Sequence, residues 1–150
     1  MVKVSKAIAT VCGIGYIGRG AGTIASVAYC FIWILFPAAG MISWSLVLLC
    51  AVLALGIWSA GRVERIWGQD SNRVVIDEVA GMMITLLMVP ANVVYGITGL
   101  LLFRFFDIVK PFGIKRAERL HGGVGVMADD VIAGIYARFI LQIIISAKIF

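Results

Sequence analysis

Val79-Ala-Gly-Met-Met-Ile-Thr-Leu-Leu-Met-Val-Pro-Ala-Asn-Val-Val-Tyr-Gly-Ile-Thr-Gly-Leu-Leu-Leu-Phe103 is a run of 25 uncharged residues, and its reading decides the fold. As one helix it would cross a bilayer. Asp77-Glu78 would then lie on one side, with Asp107 and the basic residues Arg104, Lys110, Lys115, Arg116 and Arg119 on the other. That arrangement opposes the positive-inside bias. Pro90-Ala91-Asn92, near the middle, is a turn signal. Split there, Val79–Val89 and Val93–Phe103 are 11 residues each, about 16 Å as helices and half of a hydrocarbon core. The sequence therefore predicts a re-entrant or broken helical pair, shielded by other helices and with both ends cytoplasmic. A single crossing is the alternative.

Upstream lie two further uncharged runs of 20 residues, Ala21–Gly40 and Met41–Ala60. Each is about 30 Å long as a helix, enough to span a membrane. Pro37-Ala-Ala-Gly40 supplies a turn between them, so Arg19 and Arg62 should share one side. Downstream, Val131–Ala147 reads as a last apolar helix. It is interrupted by Arg138, which falls in line with Gly134 and Asp130 and needs an acidic partner or the interface. Asp70-Ser71-Asn72 reads as a turn and N-cap, so the helix carrying Asp77 and Glu78 should begin near Asn72.

Composition agrees with this reading. Of 150 residues, 62% are hydrophobic and 14% charged, and a mean hydropathy of +1.05 belongs with integral membrane proteins. The expected architecture is a single-domain, all-α integral membrane bundle over residues 1–150. It has two long hairpin helices, a re-entrant or broken pair and a C-terminal helix. The net charge of +5 is clustered around Lys3, Lys6 and Arg19, around Arg62, Arg65 and Arg73, and in 104–119. Such clusters mark the cytoplasmic side and suit an anionic lipid headgroup rather than nucleic acid. Cys12, Cys30 and Cys50 have no metal-ligand spacing and form no disulfide framework. The early glycines Gly13, Gly15 and Gly18 argue against a cleaved signal peptide.

The chemistry sits in two acidic pairs set in apolar sequence, Asp77-Glu78 and Asp129-Asp130, with Asp107 between them. Adjacent carboxylates at a bilayer are costly to desolvate and repel one another, and a divalent cation is the simplest compensation. Mg²⁺ takes oxygen ligands, polarises a phosphoryl oxygen and activates water. Asp77, Glu78, Asp129 and Asp130 are the candidate ligands, and all five acids are catalytic candidates. Arg104, Asp107 and Lys110 fall on one helical face, where Arg104 and Lys110 could contact phosphate or form a surface ion ladder with Asp107. Arg19 and Thr23 could bring a cation and a hydroxyl to the same surface. Gly122-Gly123-x-Gly125, leading into a helix start at Asp129-Asp130, could bind an anion or serve as a connector. A small residue follows each acidic pair by one turn, Gly81 and Gly134, leaving room for a metal or another helix.

Other phosphatase chemistries fit poorly. Cys12 and Arg19 are separated by six residues rather than five, no Asp-x-Asp opening occurs, and His121 is the only histidine. From another functional class, a small cation channel or transporter could use the same acids as an ion site.

These segments resemble the phosphatidylglycerophosphatase A family. The likeness runs through Gly20-Ala-Gly-Thr-Ile-Ala-Ser26, Asp70-Ser-Asn-Arg-Val-Val-Ile-Asp-Glu-Val-Ala-Gly81, Phe103-Arg-Phe-Phe-Asp-Ile-Val-Lys-Pro111 and His121-Gly-Gly-Val-Gly-Val-Met-Ala-Asp-Asp-Val-Ile-Ala-Gly134. The resemblance implies a Mg²⁺-dependent enzyme of the bacterial inner membrane. It would hydrolyse the terminal phosphate of phosphatidylglycerophosphate to give phosphatidylglycerol and inorganic phosphate. The family's acidic motif residues map onto Asp77, Glu78, Asp107, Asp129 and Asp130, with Lys110 beside them. Two prolines are missing from the family pattern, at Ala21 before Gly22-Thr23 and at Gly113 in Lys110-Pro-Phe-Gly-Ile114. Neither loss removes a reactive group. Whether water or a carboxylate attacks phosphorus, how many metals bind and the oligomeric state are left open.

Overall fold

In the computed structural model, which describes residues 2–36, 42–68, 71–111, 114 and 120–149, regular structure is helical and no strand occurs among the described residues. The α-helices are α1 (Val2–Ala9), α2 (Ala21–Leu35), α3 (Ile42–Trp67), α4 (Ile76–Thr85), α5 (Val93–Val109) and α6 (Gly123–Ser146), with a 3-10 turn at Ile14–Ile17. The expected turn at 37–40 and the basic residues 115–119 lie outside the described residues.

The long uncharged run is broken, as its proline and asparagine predict. Helix α4 ends at Thr85, Met88 takes a left-handed conformation (φ 59°) and α5 starts after Asn92. The Asn92 side chain accepts the Val94 N–H at 2.7 Å, an N-cap that supplies a partner for an otherwise orphaned donor. The second half is longer than expected, because nothing opposes the helix until Pro111. That proline disfavours a helical Lys110, which turns left-handed instead (φ 47°). Pro37 acts in the same way on Phe36, so α2 stops after 15 residues, short of the expected 20. Helix α3 is longer than expected, 26 residues, and carries Arg62 and Arg65 within it.

Two helix starts differ from the sequence reading. Helix α4 begins at Ile76 rather than near Asn72, and Val75 makes no side-chain cap. A tertiary contact sets this start: the Val75 N–H donates to the Ala9 carbonyl at 2.9 Å. The bare Cα of Gly15 also lets the Arg73 carbonyl press against it, where any side chain would collide. The last helix begins at Gly123, eight residues before the expected Val131, so Asp129 and Asp130 lie two turns inside it. Arg138 donates to Gln142 at 2.8 Å rather than to an acid.

Helix α4 is the axis of the bundle, packed against α2, α3, α5 and α6. Its Ala80, Met82 and Thr85 are fully buried; Met82 packs with Phe103 of α5 and Ala133, Ala137 and Leu141 of α6, and Ala80 with Ala60 and Val63 of α3 and Met127 of α6. One close approach is between α4 and α6. A Cβ at Gly134 would stand 2.5 Å from the Gly81 carbonyl oxygen, and one at Gly81 would stand 2.8 Å from the Asp130 carbonyl oxygen. A second close contact joins α3 to α6, where a Cβ at Gly61 would lie 3.1 Å from the Gly123 nitrogen. Glycines thus fix how α6 lies in the bundle.

The exterior is apolar. Phe31, Leu35, Trp44, Val47, Leu101, Phe105, Ile108 and Phe139 are exposed on α2, α3, α5 and α6. Among the described residues one helix, Ser43–Trp67, is long and apolar enough to cross a membrane. Near the end of α3, Trp67 meets Lys6 and Arg73 at 5.4 and 5.5 Å from its ring centroid, and Arg62 lies 5.0 Å over Trp58.

Gly134→Ala should destabilise the fold by about 1–3 kcal/mol, because the new methyl meets rigid backbone rather than a movable side chain. Thermal unfolding in detergent measures this, and a variant as stable as the parent would refute so close a crossing.

Candidate active site

The α4–α6 crossing places a carboxylate pair one turn from each glycine, on facing helices. Asp77 and Glu78 occupy the first turn of α4, while Asp129 and Asp130 project from the second turn of α6. Helix α5 brings Asp107 alongside. Two groups result, Asp77–Glu78–Asp130 and Asp107–Asp129–Asp130, each with one oxygen per residue within 4.8 Å of the others. Asp130 belongs to both and is 3% exposed, so these are not capping carboxylates at a solvated helix end. All five predicted acids converge.

Arg104 and Lys110 flank the group. The Arg104 guanidinium pairs with Asp107 at 2.6 Å, one turn away on α5. Lys110 does not continue that face: its left-handed backbone turns it away from α5, and its ammonium reaches Asp129 at 2.7 Å. Two cations thus face five carboxylates. Burial pushes the Asp77 carboxyl up to about 6, with Asp129 raising it further and hydrogen bonding to Glu78 opposing. Burial, then the adjacent Asp77, holds Glu78 well above the usual carboxylate range. Both shifts come first from burial of the carboxyl groups and only then from the neighbouring negative charge.

One atom shows where the missing compensation belongs. Glu78 Oε2 is buried with no hydrogen-bond partner. Buried carboxylate oxygens are normally satisfied, and a cation at this orphan would supply the partner it lacks. The donors are all oxygen, which suits a hard divalent ion such as Mg²⁺. Ligands of one octahedral Mg²⁺ stand about 2.9 Å apart when adjacent and about 4.2 Å when opposite, so rotation of these side chains would be needed to close the 4.8 Å groups onto an ion. The donor set fits the ion.

Gly22, at the start of α2, completes the wall. Its Cα lies against the Glu78 carboxylate, and a Cβ would collide with Glu78 Oε1. Sequence reasoning did not assign Gly22 this role; the available signal was its place in Ala21-Gly22-Thr23. Thr23 and Arg19 are exposed on and just before the first turn of α2, near this end but with no contact to the acids. The Gly122-Gly123-x-Gly125 segment is not a connector ahead of the helix but its beginning. Gly123 and Gly125 are inside α6, pressed against the carbonyls of Ile57 and Leu120, and the Gly125 and Val126 N–H groups bond to Gly122. His121 is exposed and belongs to neither acidic group.

The family model described as Phosphatidylglycerophosphatase A matches residues 7–145. A Bacteroides thetaiotaomicron protein, provisionally named a phosphatidylinositol-3-phosphatase, is 40% identical over 129 residues, covering 84% of this chain and 81% of its own. Phosphatidylglycerophosphatase A of Escherichia coli K12 is 33% identical over 126 residues, 82% of this chain and 73% of its own. The Haemophilus influenzae protein of the same name is 32% identical over 132 residues, 86% and 81% respectively. No solved structure matches the chain.

Gly22→Ala should displace the flexible Glu78 side chain while leaving the backbone in place. The expected result is weaker divalent-cation binding, by about tenfold, at nearly unchanged thermal stability. Unaltered affinity would separate Gly22 from the cation position.

Proposed function

Because the chain belongs to the phosphatidylglycerophosphatase A family and is a phosphatase, we propose that it is a Mg²⁺-dependent hydrolase of phosphatidylglycerophosphate. The products are phosphatidylglycerol and inorganic phosphate. The observation that carries this reading is the convergence of five carboxylates from three helices around an unpartnered Glu78 oxygen, with Arg104 and Lys110 at the margin.

A phosphate monoester is dianionic, so its transfer requires positive charge around the phosphoryl oxygens and a nucleophile in line. Asp77, Glu78, Asp129 and Asp130 would hold Mg²⁺, with Asp107 closing the group. When bound, the ion supplies Lewis-acid polarisation of the phosphoryl group and activates the attacking water. Arg104 and Lys110 leave their carboxylate partners to contact the phosphate as it arrives. Arg19 and Thr23, at the same end, meet the glycerol side of the headgroup. A carboxylate not engaged with the ion receives the proton of the attacking water. The channel alternative has no comparable support: family membership makes the chain an enzyme.

The reaction is placed at the cytoplasmic surface of the bacterial inner membrane. Supporting this are the apolar exterior, the Ser43–Trp67 helix and the gathering of Lys6, Arg62 and Arg73 near the end of α3. The same 40% identical relative favours a second substrate, phosphatidylinositol 3-phosphate, also a lipid phosphate monoester. The two differ in headgroup and not in the bond that is cut.

Phosphate release from phosphatidylglycerophosphate in mixed micelles should stop with a chelator and return with Mg²⁺. Asp77→Asn and Asp130→Asn should each lower kcat/KM by about 10²–10³. Full activity in either folded variant removes that residue from the catalytic set. A higher kcat/KM on phosphatidylinositol 3-phosphate would transfer the assignment to that lipid.

A further inference from the structure

The acidic cluster is divided unequally. Asp77 and Glu78 have no ion-pair partner within hydrogen-bond distance among the described residues, and Glu78 Oε2 is buried and unpartnered. Across Asp130, the other two acids are each held by a cation through one oxygen: Asp107 Oδ2 by Arg104 and Asp129 Oδ2 by Lys110. One oxygen of each also lies within 4.8 Å of an Asp130 oxygen. Asp130 is counted in both groups and is nearly inaccessible to water.

We propose that this is a two-cation centre bridged by Asp130, with a tight position at Asp77–Glu78–Asp130 and a weaker one at Asp107–Asp129–Asp130. The inference rests on the cluster being the metal site of the phosphatase proposed above. The physical reason for the inequality is repulsion. At the first position Asp77 and Glu78 have no ion-pair partner among the described residues and one oxygen lacks any partner, so an ion there would relieve an existing penalty. At the second, an incoming ion must share Asp107 and Asp129 with a guanidinium and an ammonium, each of which lowers its affinity. Two-ion sites serve phosphoryl transfer by holding both the attacking and the leaving oxygen. Here the phosphate dianion provides the means of filling the second position: it draws Lys110 and Arg104 off their carboxylates, and the freed oxygens then take the ion. Substrate and second cation would therefore bind cooperatively.

Mn²⁺ titration of the purified full chain in detergent, followed by electron paramagnetic resonance, tests this without substrate turnover. The expected result is two classes of bound Mn²⁺, with a spin-coupled signal emerging only as the second fills. Lys110→Gln should tighten the second class by about tenfold or more and leave the first unchanged. Inorganic phosphate should tighten the second class in the parent. Glu78→Gln should weaken the first class, and Asp107→Asn the second alone, so the proposal does not hang on the folding of any one variant. One ion per chain at saturation, in both the parent and Lys110→Gln, would overturn the two-cation centre while leaving a one-ion phosphatase standing. Two classes that ignore Lys110→Gln would overturn the ordering. No bound Mn²⁺ at all would defeat the underlying metal-site reading as well.

Discussion

Backbone contact between α4 and α6 is the constraint from which the rest of the site follows. Carboxylates repel, and no pairwise attraction among Asp77, Glu78, Asp129 and Asp130 could draw these helices together. Packing does so instead. Gly81 and Gly134 meet with almost no space between the chains, and Phe103 and Leu141 seal the flanks with buried apolar surface. The acids sit one turn from that contact, so their separation is set by the crossing and not by their own preference. The stability of the apolar core is used to hold like charges together, a strained arrangement that a bound cation relieves.

Some of this geometry could be read in the residues. The break between α4 and α5 was legible because Pro90 and Asn92 act locally, one by lacking an N–H and the other by capping. The meeting of the acidic pairs was foreshadowed by their common spacing to a glycine, since that spacing places acid and glycine on one helical face. The start of α4 was not legible: it is fixed by the Ala9 carbonyl and by Arg73 against Gly15, contacts with no local signature. The reading of Asp129-Asp130 as a helix start failed for a related reason. Glycines at 122, 123 and 125 look like a loop, yet two of them are helical, and they are glycine because Gly123 lies against the Ile57 carbonyl of α3 and Gly125 against the Leu120 carbonyl.

Lys110 shows how a short-range and a long-range effect combine. Pro111 denies it a helical conformation, and the resulting left-handed turn sends its ammonium away from the Arg104–Asp107 face toward Asp129 on another helix. The sequence placed Lys110 on a ladder with its neighbours. In the fold it instead links the end of α5 to α6, so the same residue caps one helix and compensates charge on another. Gly22 is the opposite case, acting through what it lacks: the absence of a methyl group leaves room for the Glu78 carboxylate.

The dependence of α4 on Ala9 and of the acidic cluster on α6 has a consequence for biosynthesis. Ala9 and the acids it helps position, Asp77 and Glu78, are synthesised ahead of their counterparts on α6. Until α6 follows, only half of the acidic cluster exists. A nascent chain that stops short of that helix lacks Asp129 and Asp130, so the cluster is assembled only once α6 has emerged and packed against α4.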